Sequence, residues 1–485
     1  MEPRLITVIL LLAATAILAT PLINELPPGQ EWPQRNTVVQ PAQIKDVEEL
    51  QPSANVTISE STDEHEDIIE EPLEIDLKTL AKSGSEIDKV DYTGAQLWQV
   101  STEKTGSRLV IGRLRRRKLI TTWGGNQSVV DILVKKDVIN NVTRVFKREE
   151  IPFSIVIYDL QKRIDEENPP LDENELELQD RRGHRMTWKQ YHRADDIYGF
   201  LDYLAKTYPT LISVQNVGKT YEGRDLKVLK LSNGKPNNKA IFIDGGIHAR
   251  EWISPATVTY FINQFAENFD VESDDIKNID WYFMPLVNPD GYEYTHSYDR
   301  LWRKNRKPGI AGRACAGTDL NRNFGYRWGG SGTSNNPCSE IYRGRAAFSE
   351  PEAKALSDFI KNSGRKFSAY LTYHSYGQYL LYPWGYENAV PPDYQDLDAV
   401  GKKMAEAIQQ TGGSRYQVGT ASGLLYPAAG GSDDWAKSQG IKYSYTIELG
   451  DTGRYGFVLP TSYIEPVARE SMAGLRVLAS QVNKE

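Results

Sequence analysis

From about position 91 to the C-terminus, apolar residues recur at the spacings of regular secondary structure; ahead of it they do not. Residues 95–100 and 128–134 read as strands, a helical stretch runs through Val145, and residues 153–158 close a small α+β unit spanning 91–163. From 186 onward, helical segments alternate with short apolar runs at 240–244, 281–287, 369–373 and 442–447, each followed by glycine or polar residues. Such runs are the pattern of buried strands, and strands interleaved with helices build an α/β domain. The expectation is a single α/β domain over 186–485, large at about 300 residues but within the range for one domain. No internal repeat is visible.

The first ninety residues obey other rules. Met1 to Arg4 precede an apolar run over 5–18 and small residues around Ala19 and Thr20, the layout of a secretory signal peptide over 1–20. The run is shorter than the about 20 residues of a bilayer-spanning helix. The alternative is an uncleaved anchor extended through Leu22 and Ile23. On the first reading the protein is secreted and extracellular, with no stable membrane partner. Residues 21–90 are rich in Glu, Asp, Pro, Ser and Thr and poor in aromatics, a composition that cannot bury enough apolar surface to order itself. They read as a disordered acidic segment, first of all a spacer ahead of the folded parts, with a partner-binding segment or a fast-evolving filler as the alternatives.

Charge sharpens this division. Between Lys45 and Lys89 there are fourteen Asp or Glu against four Lys, whereas the whole chain carries a net charge of -8. The remainder is therefore near neutral and offers no basic surface for nucleic acid. A charged connector follows at 164–185, with Pro169 and Pro170 at its head and Arg181, Arg182, His184 and Arg185 at its foot. Exposed basic residues on a connector are where a trypsin-like protease cuts; the alternative is an ordinary linker with solvated arginines. The basic run 113–118 reads as a solvated face. Sequons at Asn55, Asn126 and Asn141 are compatible with secretion.

The two cysteines, Cys315 and Cys338, stand 23 positions apart. In a secreted protein one disulfide is the favoured reading, with two free thiols as the alternative. Two cysteines cannot form a cysteine-rich zinc site, so a metal would need His and carboxylate. Of six histidines, His248 and His374 directly follow apolar strand runs, and Glu251 makes His-x-x-Glu with His248. Ligand sites gather at the carboxyl ends of strands in α/β sheets, and a close ligand pair plus a distant third can assemble a catalytic zinc site. Alone, His-x-x-Glu is a weak signal. His65, His184, His192 and His296 have no partner pattern and read as structural.

Read in order, the motifs are more specific. Gly246-Ile247-His248-Ala249-Arg250-Glu251-Trp252, Asn288-Pro289-Asp290-Gly291-Tyr292, Arg300-Leu301-Trp302-Arg303, Asp319-Leu320-Asn321-Arg322-Asn323-Phe324, His374-Ser375-Tyr376, Ile447-Glu448-Leu449 and Asp451 to Phe457 together resemble the pancreatic-type metallocarboxypeptidase family. The resemblance runs from about Asp91 to the C-terminus. It implies a mixed twisted sheet flanked by helices, one Zn2+, and a propeptide domain that acts as an intramolecular inhibitor until an activating protease cuts the connector between Arg181 and Arg185. It also implies hydrolysis of the C-terminal bond of peptides or proteins.

By the same resemblance, His248, Glu251 and His374 are the metal ligands, a His2Glu set of the kind known in carboxypeptidase A. Glu448 is the catalytic carboxylate that relays a proton from water to the leaving amine. Arg303 stabilises the developing oxyanion. Asn321 and Arg322 hold the substrate's terminal carboxylate, Tyr426 closes over its side chain, and Arg250, Tyr376 and Phe457 line outer subsites. Asp433 falls on the floor of the side-chain pocket, where members that prefer basic residues carry Asp; a C-terminal Lys or Arg is the expected preference. Asp434 carries no such information, and Gly385 and Ala421 leave space along the wall. The competing expectation is a catalytically inactive relative that binds peptides, although every matched catalytic position here retains a competent residue. A serine hydrolase is excluded by the absence of a Gly-x-Ser-x-Gly elbow.

Overall fold

The computed structural model describes residues 89–181, 183–309 and 315–485. The expected signal segment, almost all of the acidic segment, Asn55, His65 and Arg182 lie outside the described residues.

A four-stranded antiparallel sheet comes first in the chain: β1 Gln96–Ser101, β2 Ile120–Gly125, β3 Val129–Val134 and β4 Phe153–Ile157, in the order β2-β3-β1-β4. Side chains alternate between its faces, and both faces are covered. Trp98, Val100, Ile132 and Val134 pack beneath two helices, Ser107–Arg116 and Ile139–Arg148, through Val110, Ile111, Leu114, Val142 and Phe146. Leu97, Leu133 and Ile157 face the other way and share a core with Leu301, Tyr376, Phe457 and Val458 of the large domain. The basic run 113–118 supplies the exposed last turn of the first helix, where Arg113, Arg115 and Arg116 complement the helix dipole.

The expected connector is partly helical. Helix Leu160–Glu167 is capped by Asp159, whose side chain accepts from the Lys162 amide, and it crosses the expected boundary at 163. A second helix, Glu173–Arg181, carries Glu173 and Glu175 in its first turn, where negative charge is favoured.

The large domain is built on eight strands: β5 Ile212–Lys219, β6 Asp225–Leu231, β7 Lys239–Gly245, β8 Ile279–Met284, β9 Phe367–Ser375, β10 Tyr379–Tyr382, β11 Gln417–Thr420 and β12 Tyr443–Leu449. Their order is β11-β10-β12-β9-β7-β8-β6-β5. The central four, β12-β9-β7-β8, are parallel, and antiparallel neighbours flank them on both sides, so the sheet is mixed as expected. Both faces of the centre are buried, which is why these strands read as continuous apolar runs. Phe242, Tyr282 and Tyr370 pack against Leu356 and Ile360 of helix Pro351–Asn362 and Trp435 of helix Ser432–Ser438. On the opposite face Tyr373 and Trp281 meet Phe261 and Phe265 of helix Ile253–Glu267. The run expected to be strand through 287 stops at Met284, because Pro285 has no amide hydrogen for the ladder. Cys315 and Cys338 form a disulfide with Cα atoms 4.5 Å apart.

Candidate metal centre and substrate cleft

Two distant segments meet at the carboxyl ends of β7 and β9. These strands pair in parallel with Gly245 opposite Tyr373, so the loop leaving β7 and the last residues of β9 emerge side by side. The loop turns at Gly246, where φ is +66° and a β-carbon would lie 2.8 Å from Leu286; only glycine suits that position. Beyond it His248 and Glu251 are buried, and His374 is the penultimate residue of β9.

The three side chains converge. His248 Nδ1 lies 2.8 Å from Glu251 Oε1, His374 Nδ1 lies 3.0 Å from Glu251 Oε2, and the two Nδ1 atoms are 3.1 Å apart. Donors held 2.0–2.2 Å from a tetrahedral zinc are roughly 3.4 Å from one another, so this His2Glu group fits such an ion. Its electrostatics point the same way. Burial would raise the Glu251 carboxyl, but the two imidazoles overcome it and hold that carboxyl well below its usual range. Burial also depresses His248, with Arg303 adding to the effect. Burial opposes a charge on His374 as well, yet Glu251 outweighs it and lifts this imidazole to about 9. The group thus draws positive charge into its midst.

The outer ring nitrogens are also engaged. His248 Nε2 is 3.1 Å from Asp319 Oδ1, and His374 Nε2 is 3.2 Å from Thr372 Oγ1. The other Asp319 oxygen accepts from Arg303 Nε and Nη2 at 3.1 and 2.9 Å. One buried carboxylate therefore fixes both an imidazole and the guanidinium that stands 3.8 Å from Glu251. Burial would raise Asp319, but Arg303, Arg322 and His248 hold it well below the carboxylate range.

Register also sets Glu448. β12 runs parallel to β9 with Glu448 directly opposite His374. Burial pushes its carboxyl up to about 7, Glu251 adds to the rise, and His374, Arg303 and Arg322 oppose it. A carboxylate poised near neutrality beside a metal-binding group is suited to move protons.

Asn321 and Arg322 occupy a tight turn, Leu320–Arg322, that Asp319 caps by accepting from the Asn321 amide at 3.1 Å. Asn321 Oδ1 accepts from the Ser432 amide at 2.9 Å, which joins this turn to helix Ser432–Ser438. The two aspartates that open the helix are used differently. Asp434 accepts from the Gly385 and Tyr386 amides at 2.8 and 2.9 Å, so its carboxylate is committed to the backbone. Asp433 is buried beside Thr446, and burial raises its carboxyl. A β-carbon on Gly385 would touch Ala421, so these two residues face each other. Tyr426 is half exposed in the loop that follows helix Ala421–Leu424.

The remaining expected residues sit under the small domain. Asp131 of β3 accepts from the Tyr376 hydroxyl at 2.7 Å, and Trp123 of β2 packs on Phe457 with ring centroids 5.1 Å apart. Arg250 stacks on the same Phe457 ring at 4.1 Å. Phe457 is held in place by Asp451, which accepts from the Gly453, Tyr455 and Gly456 amides. Gln127 donates to the Gly423 carbonyl at 2.7 Å, and a buried ion pair joins Glu167 to Arg300 at 2.6 Å. Arg300 also lies 3.7 Å from the Trp252 ring.

Several of these contributors have no role in the sequence reading: Asp319, Thr372, Asp131, Glu167 and Arg300. Asp319 and Arg300 lie inside the family-like motifs, and an acid next to the Asn-Arg pair was the available signal. Asp131 and Glu167 have no local signal, since each is defined by a partner more than 130 positions away. The three other described histidines make packing and hydrogen-bond contacts away from this group: His192 accepts from the Thr187 amide, His296 stacks on Trp252, and His184 lies against Phe200 and Tyr203.

Comparisons with known proteins agree with this geometry. Residues 197–474 match the zinc carboxypeptidase family, and residues 98–167 match the carboxypeptidase activation peptide. The chain is 48% identical over 298 residues to carboxypeptidase B of Astacus astacus, covering 61% of this chain and 98% of that protein. It is 38% identical over 400 residues to carboxypeptidase A1 of Bos taurus, covering 81% and 94%. Among solved structures, thrombin activatable fibrinolysis inhibitor superimposes with a TM-score of 0.74 at 34% identity, covering 81% of this chain and all of that one. The convergent His-Glu-His group, the carboxylate set beside it by strand register and the small domain laid over the cleft are thus found in a chain that belongs to the zinc carboxypeptidase family, with that family's activation peptide ahead of its catalytic domain.

Proposed function

We propose that this zymogen is a secreted carboxypeptidase that releases C-terminal Arg or Lys, with His248, Glu251 and His374 holding the zinc. When bound, zinc supplies Lewis acidity to the scissile carbonyl and makes water nucleophilic at neutral pH. Glu448 takes the proton of the attacking water and delivers it to the leaving amine. Arg303, locked in place by Asp319, presents a fixed positive charge to the oxygen that gains charge in the transition state. Asn321 and Arg322 bind the terminal carboxylate, which restricts the enzyme to chain ends; a guanidinium fork suits that planar anion. Tyr426 closes over the bound side chain, and Arg250, Tyr376 and Phe457 receive residues further from the terminus.

Relatives of both the A and B types match the chain, so the preference rests on the pocket. The observation that carries it is the pair of aspartates buried at the start of helix Ser432–Ser438: Asp434 is spent on the Gly385 and Tyr386 amides across the pocket, whereas Asp433, which accepts from Thr446 and from the amides that open its own helix, is a carboxylate that burial raises. Burying an apolar substrate side chain against it leaves that charge unpaired, while a guanidinium or ammonium pairs with it. Cleavage between Arg181 and Arg185 frees the cleft. The experiment is release of Arg, Lys, Leu and Phe from matched C-terminal substrates by trypsin-processed protein, with and without a chelator. Arg and Lys are released fastest and the chelator abolishes turnover. Equal release of Leu, or an undiminished rate after chelation, refutes the reading.

A further inference from the structure

His248 and His374 present Nδ1 to the same point, so each ring must be oriented through Nε2. For His248 the partner is a carboxylate in direct contact, Asp319 at 3.1 Å. For His374 it is a neutral hydroxyl, Thr372 Oγ1 at 3.2 Å. That hydroxyl is not isolated. Thr372 Oγ1 donates to Asp244 Oδ1 at 2.7 Å, and all three residues are fully buried.

The arrangement follows from strand geometry. Thr372 and His374 are two residues apart on β9 and so face the same side of the sheet. Asp244 lies directly opposite Thr372 on β7, one residue before that strand ends. Tyr370, again two positions earlier on β9, faces the same side of the sheet as Thr372 and His374. With Asp244 ionised, the chain takes one proton pattern. An ionised carboxylate can only accept, so the Thr372 hydrogen goes to Asp244 and the hydroxyl oxygen is left to accept from His374 Nε2–H. This leaves Nδ1, which faces His248 and Glu251, as the ring nitrogen for a metal.

We propose that Asp244 is a positioning residue for His374, acting through the Thr372 hydroxyl, as Asp319 is for His248. The inference rests on the reading of His374 as a zinc ligand. Both imidazoles then end on a carboxylate, one in a single step and the other through a hydroxyl relay. Partners of this kind fix ring orientation, and their loss typically costs about 10- to 100-fold in metal affinity.

The test uses the full chain. Zinc dissociation constants are measured by competition with a chromogenic chelator for wild type, Thr372→Val, Thr372→Ser, Asp244→Asn and His374→Ala, and visible spectra are recorded after loading with cobalt. Thr372→Val keeps the shape and removes the relay; zinc binding weakens about 10- to 100-fold and the cobalt bands shift. Thr372→Ser restores both. A hydroxyl that only stitched β7 to β9 would lower the melting temperature without moving the cobalt spectrum. Should the valine variant not fold, Asp244→Asn carries the test: with the charge removed, zinc binding weakens about tenfold or more. Unchanged affinity and unchanged bands in Asp244→Asn or in a folded Thr372→Val overturn the relay. If His374→Ala loses zinc while the relay variants do not, the ligand reading stands and only the relay falls. If His374→Ala binds zinc as wild type does, both fall.

Discussion

Replacing Asp433 with Asn removes one charge from the pocket and almost nothing else. The amide has the volume of the carboxylate and can keep the contact with Thr446, and Asp434 still anchors the Gly385 loop. The cost depends on the substrate. With a C-terminal Arg, the wild-type pair is a carboxylate and a guanidinium in a site where Asp433 is only 5% exposed. Losing one partner of such a desolvated pair costs about 2–5 kcal/mol. At about 1.4 kcal/mol per tenfold, kcat/KM for Arg falls about 30-fold to several thousand-fold. With a C-terminal Leu the wild type leaves a buried carboxylate facing methyl groups, and the amide relieves that, so kcat/KM for Leu stays level or rises. The same charge also governs the wild type through pH. Burial raises the Asp433 carboxyl, so lowering the pH protonates it and erodes the advantage of Arg over Leu, while raising the pH restores it. The assay is steady-state hydrolysis of paired Arg and Leu substrates across pH by processed wild type and variant. Parallel losses on both substrates, or a ratio that does not change with pH, would show that Asp433 does not meet the side chain.

Two other perturbations probe different parts of the site. Glu448 must be ionised to accept a proton, and burial lifts its carboxyl to about 7, so kcat/KM falls as the pH is lowered through that region. A rate independent of pH between about 5 and 8 argues against Glu448 as the base. At the domain contact, Glu167→Ala strands the Arg300 guanidinium that it pairs with at 2.6 and 2.7 Å. Breaking a buried pair costs about 3–5 kcal/mol, so after trypsin cuts the connector the small domain departs sooner and the lag between cleavage and activity shortens. An unchanged lag refutes it.

Local chemistry was legible in the sequence wherever the chain itself brings groups together. His248 and Glu251 share one loop, and Asn321 and Arg322 share one turn. His374 and Glu448 are different, because their meeting depends on β7, β9 and β12 being adjacent and in register, which no spacing reports. The family-like motifs bridged that gap. They did not reach Thr372 or Asp244, whose roles arise only from facing each other across two strands. In the small domain, helix Ser107–Arg116 was hidden for a simpler reason. Val110, Ile111 and Leu114 have helical spacing, but the arginines between them draw the eye to charge. The same holds for the connector, where a charged composition suggests exposure and yet Glu167 is buried by its pairing with Arg300.

That pairing bears on how the zymogen is kept inactive. With the small domain in place, His248, Glu251 and His374 already converge, Glu448 already stands opposite His374, and Arg303 is already locked by Asp319. The contacts of the small domain fall elsewhere: Asp131 on Tyr376, Trp123 on Phe457, Gln127 on the segment leading to Tyr426, and Glu167 on Arg300 beside Trp252. On the proposed reading these are the surfaces a peptide crosses rather than the groups that react. Inhibition, on that same reading, is occlusion of a cluster that is already assembled, and activation needs departure of the small domain rather than rebuilding of the site. An incoming substrate long enough to reach Phe457 must displace an aromatic contact and a buried hydroxyl–carboxylate bond, whereas a very small one that needs only the side-chain pocket meets less of that barrier. The uncleaved chain should accordingly discriminate by substrate length, with residual turnover of a blocked dipeptide and none of a long peptide, and equal silence toward both would mean that the small domain disables the chemistry itself.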